Sequence, residues 1–170
     1  MRLHRYIAQS GLTSRRKAEE LIAQGRVMVN GSIVTAMGVQ VEPSDEVMVD
    51  GEFIRLQESF TLIMNKPKGL LTTLNDPQGR PTVMTLLPKE LQSAKPVGRL
   101  DKDTEGLLLL TTDGELAMRL THAKYGIEKE YLAVVEGAPT PASIEKLKRG
   151  VFVDGRRTAP CQAELLPGDA

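Results

Sequence analysis

The stretch Gly98-Arg99-Leu100-Asp101-Lys102-Asp103-Thr104-Glu105-Gly106-Leu107-Leu108-Leu109-Leu110-Thr111 sets one carboxylate, Asp101, in a polar turn that runs straight into an apolar segment. Such a run predicts a strand over Leu107–Thr111 buried on both faces, with Asp101 held at its entrance. Asp101, Asp103, Glu105 and Gly106 mimic the opening of a calcium loop. That loop needs an oxygen ligand at its ninth position and a bidentate Glu at its twelfth. Counted from Asp101, those positions are Leu109 and Thr112, which rejects calcium. A glycosidase-like pair of Asp101 with Asp103 has no marked partner from another element. A plain acidic turn explains neither the preceding Gly-Arg-Leu nor the length of the apolar continuation.

Upstream, the first fifty residues read as helix, helix, then small strands. Leu3, Tyr6, Ile7 and Ser10 follow helical spacing up to Gly11. Thr13 or Ser14 caps a second helix with Ala18, Leu21 and Ile22 inward, closed by Gly25. Asn30-Gly31 predicts a hairpin between Val27/Val29 and Ile33/Val34, and Val47–Val49 is a further strand ending at Asp50-Gly51. Residues 53–60 are polar and read as a linker.

Beyond it, Thr61–Asn65 reads as a strand, Val83–Leu87 as a short helix and Asn75–Pro81 as a loop. A helix from Glu115, a strand over Tyr131–Val135, an amphipathic helix over Pro141–Arg149 and short strands around Val151–Val153 and Ala163–Leu166 follow. The pattern is α+β.

Formal net charge is zero over 170 residues, so any nucleic-acid surface must come from local segregation of charge. Such segregation is present. Residues 1–30 carry Arg2, Arg5, Arg15, Arg16, Lys17 and Arg26 against Glu19 and Glu20, whereas the charges of residues 31–52 are all acidic. A basic helical face suited to a phosphate backbone results. Cys161 is the single cysteine, which excludes an internal disulfide or CxxC metal site and is expected to be a buried thiol. His4 and His122 lack metal partners and read as surface or capping groups. No leader-like or membrane-length apolar run is seen, and a soluble, cytoplasmic monomer is expected.

The N-terminal pattern Arg2-Leu3…Ile7-Ala8…Gly11…Ser14-Arg15-Arg16-Lys17-Ala18…Leu21-Ile22…Gly25-Arg26-Val27…Val29-Asn30-Gly31 resembles the S4 RNA-binding domain. The Asp101 stretch, together with Asn65-Lys66-Pro67-Lys68-Gly69…Thr72-Thr73 and Glu128-Lys129-Glu130-Tyr131, resembles the pseudouridine synthases that modify ribosomal RNA and carry an S4 domain in front. The resemblance implies an S4 domain over 1–52, the linker over 53–60 and a mixed-sheet catalytic domain over 61–170.

It also implies a catalytic role for Asp101, with no metal and no cofactor. The reaction detaches uracil from the ribose and rejoins it through C5. Asp101 must be ionised, and Arg99 is a charge partner that favours ionisation. Arg99 is also a candidate to fill the gap left by the flipped uridine, and Tyr131 to stack on the flipped base. The alternative for Tyr131 is a core strand residue. Lys66 and Lys68 are candidate phosphate contacts, alternatively parts of a structural turn.

Asn75–Val83 is similar to the large-subunit members, which makes Arg80 a candidate RNA contact, alternatively part of a solvated loop. The implied partner is ribosomal RNA, or a pre-ribosomal particle. Members of the family continue beyond position 170 with another basic helix and strands that complete the sheet. This chain stops after a Pro167-Gly168 turn, as expected of a fragment or an incomplete gene. A non-catalytic RNA-binding module is therefore the second reading, and a metal-dependent hydrolase using the acidic loop the third.

Overall fold

The computed structural model describes residues 1–166; the Pro167-Gly168 turn lies outside them. Two compact units are present, Met1–Ile127 and a second that begins at Glu128.

The first unit opens with α1 (Leu3–Gln9) and α2 (Arg15–Ala23). Ser14 caps α2, its hydroxyl accepting from the Lys17 backbone N–H at 3.3 Å. Their apolar stripes bring Leu3, Tyr6, Ile7, Ala18, Leu21 and Ile22 into one core with Val27, Val41, Val47 and Val49. Val27, Val47 and Val49 come from an antiparallel sheet of β1 (Val27–Val29), β2 (Ser32–Ile33), β3 (Val47–Val49) and β4 (Glu52–Ile54), in the order β2-β1-β3-β4, and Val41 from the connection between β2 and β3.

Asn30 and Gly31 both take positive φ, 49° and 79°, as do Asp50 and Gly51 at 53° and 83°. These are the turns that match the twist of a two-residue hairpin. The second hairpin corrects the expected boundary: Phe53 and Ile54 are not linker but part of β4, paired with Met48 and Val47. A linker read from polarity misses a short edge strand whose side chains are mostly exposed.

A second antiparallel sheet follows, of β5 (Thr61–Lys66), β6 (Lys95–Val97) and β7 (Gly106–Thr111), in the order β5-β7-β6. Its inner face packs Leu62, Met64, Leu108 and Leu110 on Val83, Met84 and Ala94. Here β7 departs from expectation. It is central but buried on one face only, because Leu107 is 70% exposed and Ile63, which lies opposite Leu109 on β5, is 76% exposed. The segment expected as a short helix after Thr82 is a 3-10 turn, Val83–Leu86, too short before Pro88 to gain α-type bonds.

After β7, α3 (Gly114–Thr121) is capped by Asp113, whose Oδ1 accepts from the backbone N–H groups of Glu115 and Leu116 at 2.8 and 3.2 Å. The two sheets belong to one unit, in which α1 and α2 each reach α3. Arg5 Nη2 lies 3.3 Å from Glu115 Oε2, and a Cβ on Gly114 would lie 3.2 Å from Arg15 Nη2.

The second unit contains α4 (Pro141–Lys148) and a hairpin of β8 (Phe152–Val153) and β9 (Arg156–Arg157). Two expected strands are absent among the described residues: 131–135 and 163–166 have no ladder partner. Tyr131, Leu132, Val134 and Val135 are exposed, so an apolar run alone does not make a strand without a neighbour to complete its hydrogen bonds. Cys161, expected to be buried, lies exposed in this irregular region.

The packing asymmetry of the second sheet is measurable. Leu110→Ala should destabilise the chain by about 2–5 kcal/mol, whereas Ile63→Ala should stay within about 0.5 kcal/mol, read from urea midpoints at constant m. Equal losses at both positions would contradict a one-sided core.

Candidate active site

Asp101 sits in the loop between β6 and β7, and its position is fixed by its backbone. Lys66, the last residue of β5, is fully buried. Its Nζ donates to the carbonyls of Pro67 at 3.0 Å, Asp101 at 3.0 Å, Lys102 at 3.1 Å and Thr104 at 2.8 Å. An ammonium has three protons, so four acceptors imply that at least one bond is shared. An isolated buried ammonium is very costly, and the converging carbonyl dipoles offset that cost.

This overturns the expectation that Lys66 contacts RNA phosphates. β5 alternates, and the same period that points Leu62 and Met64 inward points Lys66 inward too.

Two further groups from the same turn complete the clamp. The Gly69 backbone N–H donates to the Lys102 carbonyl at 2.8 Å. Thr72, largely buried, donates its hydroxyl to the Leu100 carbonyl at 2.6 Å and accepts from the Leu100 N–H at 3.3 Å. Within the loop, the Thr104 N–H donates to the Asp101 carbonyl at 3.1 Å. The backbone from Leu100 to Thr104 is thus tied on several sides while the Asp101 residue stays exposed.

Among the described residues the Asp101 carboxylate has no hydrogen bond or ion pair, and the expected pairing with Arg99 is not made. Arg99 is exposed beside it in sequence. Asp101 lines neither the concavity beside α4 nor the one formed by residues 10–12 and 53–57. Tyr131 belongs to the second unit, where it is 63% exposed.

The candidate RNA contacts divide by how their charge is used. Arg26 makes a bidentate pair with Asp50, both bonds 2.6 Å, which holds the Asp50 carboxyl below its ordinary range and raises Arg26. Arg80 pairs with Asp76 at 2.7 and 3.1 Å. That pairing, with the backbone N–H groups of Arg80 and Gln78, pulls the Asp76 carboxyl down to about 2.

Arg5 is engaged by Glu115, and Lys17 lies 2.9 Å from Glu20. Arg2, Arg15, Arg16 and Lys68 are exposed and have no ion pair among the described residues. His4 lies 3.6 Å from Glu19, and His122 Nδ1 caps the following turn by accepting from the Lys124 N–H. Sequence reasoning missed Thr72 as a loop-holding group; its only signal was its position six residues after Lys66 in one turn-rich segment.

If Lys66 is the clamp, Lys66→Met should raise amide hydrogen exchange at Gly69 and Thr104 by about tenfold or more, because both bond the tethered loop. Unchanged exchange at those two amides would show that the loop holds itself.

Residues 60–164 match the family model described as RNA pseudouridylate synthase, and residues 1–47 match the S4 domain. The chain is 45% identical to "Ribosomal large subunit pseudouridine synthase B" of Bacillus subtilis (strain 168), over 99% of this chain and 69% of that protein. It is 46% identical to the protein of the same name from Pseudomonas aeruginosa, over 98% of this chain and 45% of that one. A crystal structure of a pseudouridylate synthase superposes with a TM-score of 0.63 at 32% identity, covering 98% of this chain and 73% of that chain. With the clamped aspartate loop, the two matched domains and 45% identity over nearly the whole of this chain together, the chain belongs to the RNA pseudouridylate synthase family, with an S4 domain at its N-terminus.

Proposed function

We propose that this chain isomerises a uridine of large-subunit ribosomal RNA to pseudouridine, with Asp101 as the catalytic carboxylate. The observation that carries the reading is the tethered loop, in which a buried lysine and a threonine hold the backbone and leave the carboxylate of Asp101 unengaged. The large-subunit target is supported by the names of the relatives.

The reaction breaks the bond between N1 and C1′, turns the base, and joins C5 to C1′. A proton leaves C5 and one is gained at N1, so composition is unchanged. A carboxylate serves this chemistry by attack at the sugar carbon or by removing a sugar proton, and both routes require it ionised. A base inside structured RNA must first leave its stack, and Arg99, exposed next to Asp101, is our candidate to occupy the gap. Tyr131 is our candidate to stack on the extruded uracil.

RNA is held, in this reading, by the S4 part. Residues 1–54 bind and 61–166 carry the chemistry, a division supported by the matched ranges 1–47 and 60–164. Arg2, Arg15, Arg16 and Lys68 are the first-choice phosphate contacts because no carboxylate neutralises them; Arg5, Lys17, Arg26 and Arg80 would have to exchange an internal partner for a phosphate. No helix of the described residues is long and apolar enough to cross a membrane. We place the protein in the cytoplasm, as a monomer acting on ribosomal RNA or a pre-ribosomal particle.

The test is Asp101→Asn assayed on large-subunit rRNA by pseudouridine mapping and by RNA binding. Conversion should vanish while affinity stays within about threefold, since the change removes a charge used only in the reaction. Conversion that survives the substitution would end the assignment. Binding without conversion by the unaltered chain would make it an RNA-binding module instead.

A further inference from the structure

The second unit carries a basic concavity that the reading above does not use. Residues 141–157 hold five cations, Lys146, Lys148, Arg149, Arg156 and Arg157, against Glu145 and Asp154, in a chain of zero formal net charge. Glu145 is occupied by Lys148 at 2.8 Å. Between α4 and the β8–β9 hairpin lies a concavity of about 500 Å³, lined by Lys146, Arg149, Phe152 and Arg157 together with Ala142, Glu145, Gly150 and Val151.

The walls of this concavity are built rather than accidental. The Thr158 N–H donates to the Val151 carbonyl at 2.8 Å, and the Val151 N–H donates back to Thr158 Oγ1 at 3.0 Å. Arg157 donates to the Arg149 carbonyl at 3.1 Å, which fixes its guanidinium at the end of α4. Gly150 has φ +89°, and a Cβ there would lie 2.5 Å from the Thr158 carbonyl oxygen, so only glycine allows the close approach. Phe152 stands beside these cations 75% exposed. An exposed phenyl ring contributes little to folding, and it gives the concavity an aromatic platform among three lining cations that outnumber the one carboxylate, Glu145.

We propose that this concavity binds an unpaired nucleotide stretch of the RNA substrate, a base stacking on Phe152 and the flanking phosphates lying against Lys146, Arg149 and Arg157. Fixed cations tracking a backbone, with an aromatic face for a base, are the two elements of single-strand recognition. A duplex would offer no free base face to the ring. The inference rests on the reading of this chain as acting on RNA, and it adds a second contact remote in sequence from the S4 helices.

The chain contains no tryptophan, so Phe152→Trp introduces a single fluorescent reporter at an exposed site. Titration of the full chain with an unstructured ten-nucleotide oligouridylate should quench it saturably. Phe152→Ala should weaken binding of the same oligonucleotide about tenfold. Lys146→Gln with Arg149→Gln should flatten the salt dependence of log affinity by about 1.4, two contacts at single-strand slope. Fluorescence that does not respond while the labelled oligonucleotide is bound would overturn the proposal, as would unaltered affinity in Phe152→Ala. A chain that quenches but converts no uridine retains this site and loses the enzymatic reading; one that converts uridine without quenching does the reverse.

Discussion

A single buried ammonium organises the reactive end of this protein. Lys66 leaves β5 on its inward period and is fully buried, where its charge is tolerable only if carbonyl oxygens surround it. Three of its four acceptors, the carbonyls of Asp101, Lys102 and Thr104, belong to the loop that carries Asp101. The desolvation cost of the lysine and the conformational entropy of the loop thus oppose each other. Neither the charge nor the loop has its favoured state without the other. Because the bonds are all to backbone, the carboxylate of Asp101 remains available for chemistry.

The sheet beneath the loop supplies the rigidity. β7 is hydrogen-bonded on both sides, by β5 along its whole length and by β6 over three residues, so the strand that follows Asp101 is the best-anchored of the three. Its C-terminal end leads through the Asp113 cap into α3, which receives Arg5 of α1 at Glu115. A continuous path of bonded groups therefore runs from the N-terminal helices to the aspartate loop within the first unit. Charge is used economically along that path. Arg5, Arg26 and Arg80 are each engaged by a carboxylate, leaving Arg2, Arg15 and Arg16 as the exposed unneutralised cations of α1, α2 and their leads.

Elements with a local cause were legible in the sequence. The cap at Ser14, the Asn30-Gly31 and Asp50-Gly51 turns and the two helical stripes follow from neighbours a few residues apart. The three spaced motifs also carried the family. What was illegible depends on long-range partners. Lys66 reads as a surface cation until its neighbours across 35 to 38 residues are known. Tyr131–Val135 is an apolar run that reads as a strand, yet among the described residues no strand pairs with it. Leu107 looks like core because its neighbours are leucines, although only one face of β7 is covered. The Asp154-Gly155 hairpin, with φ values of 49° and 75°, carried a readable turn signal that composition-level reading passed over.

The claim at the centre of this account is that the Lys66 ammonium is sequestered and bonded to the aspartate loop. The most direct measurement is NMR of the protein labelled with ¹⁵N at lysine side chains, observing the Nζ protons and their scalar couplings to backbone carbonyls. One ammonium should exchange slowly with water and couple across hydrogen bonds to carbonyls within residues 101–104, while that of Lys68 exchanges fast. A Lys66 ammonium that exchanges as rapidly as Lys68, with no such coupling, would contradict it.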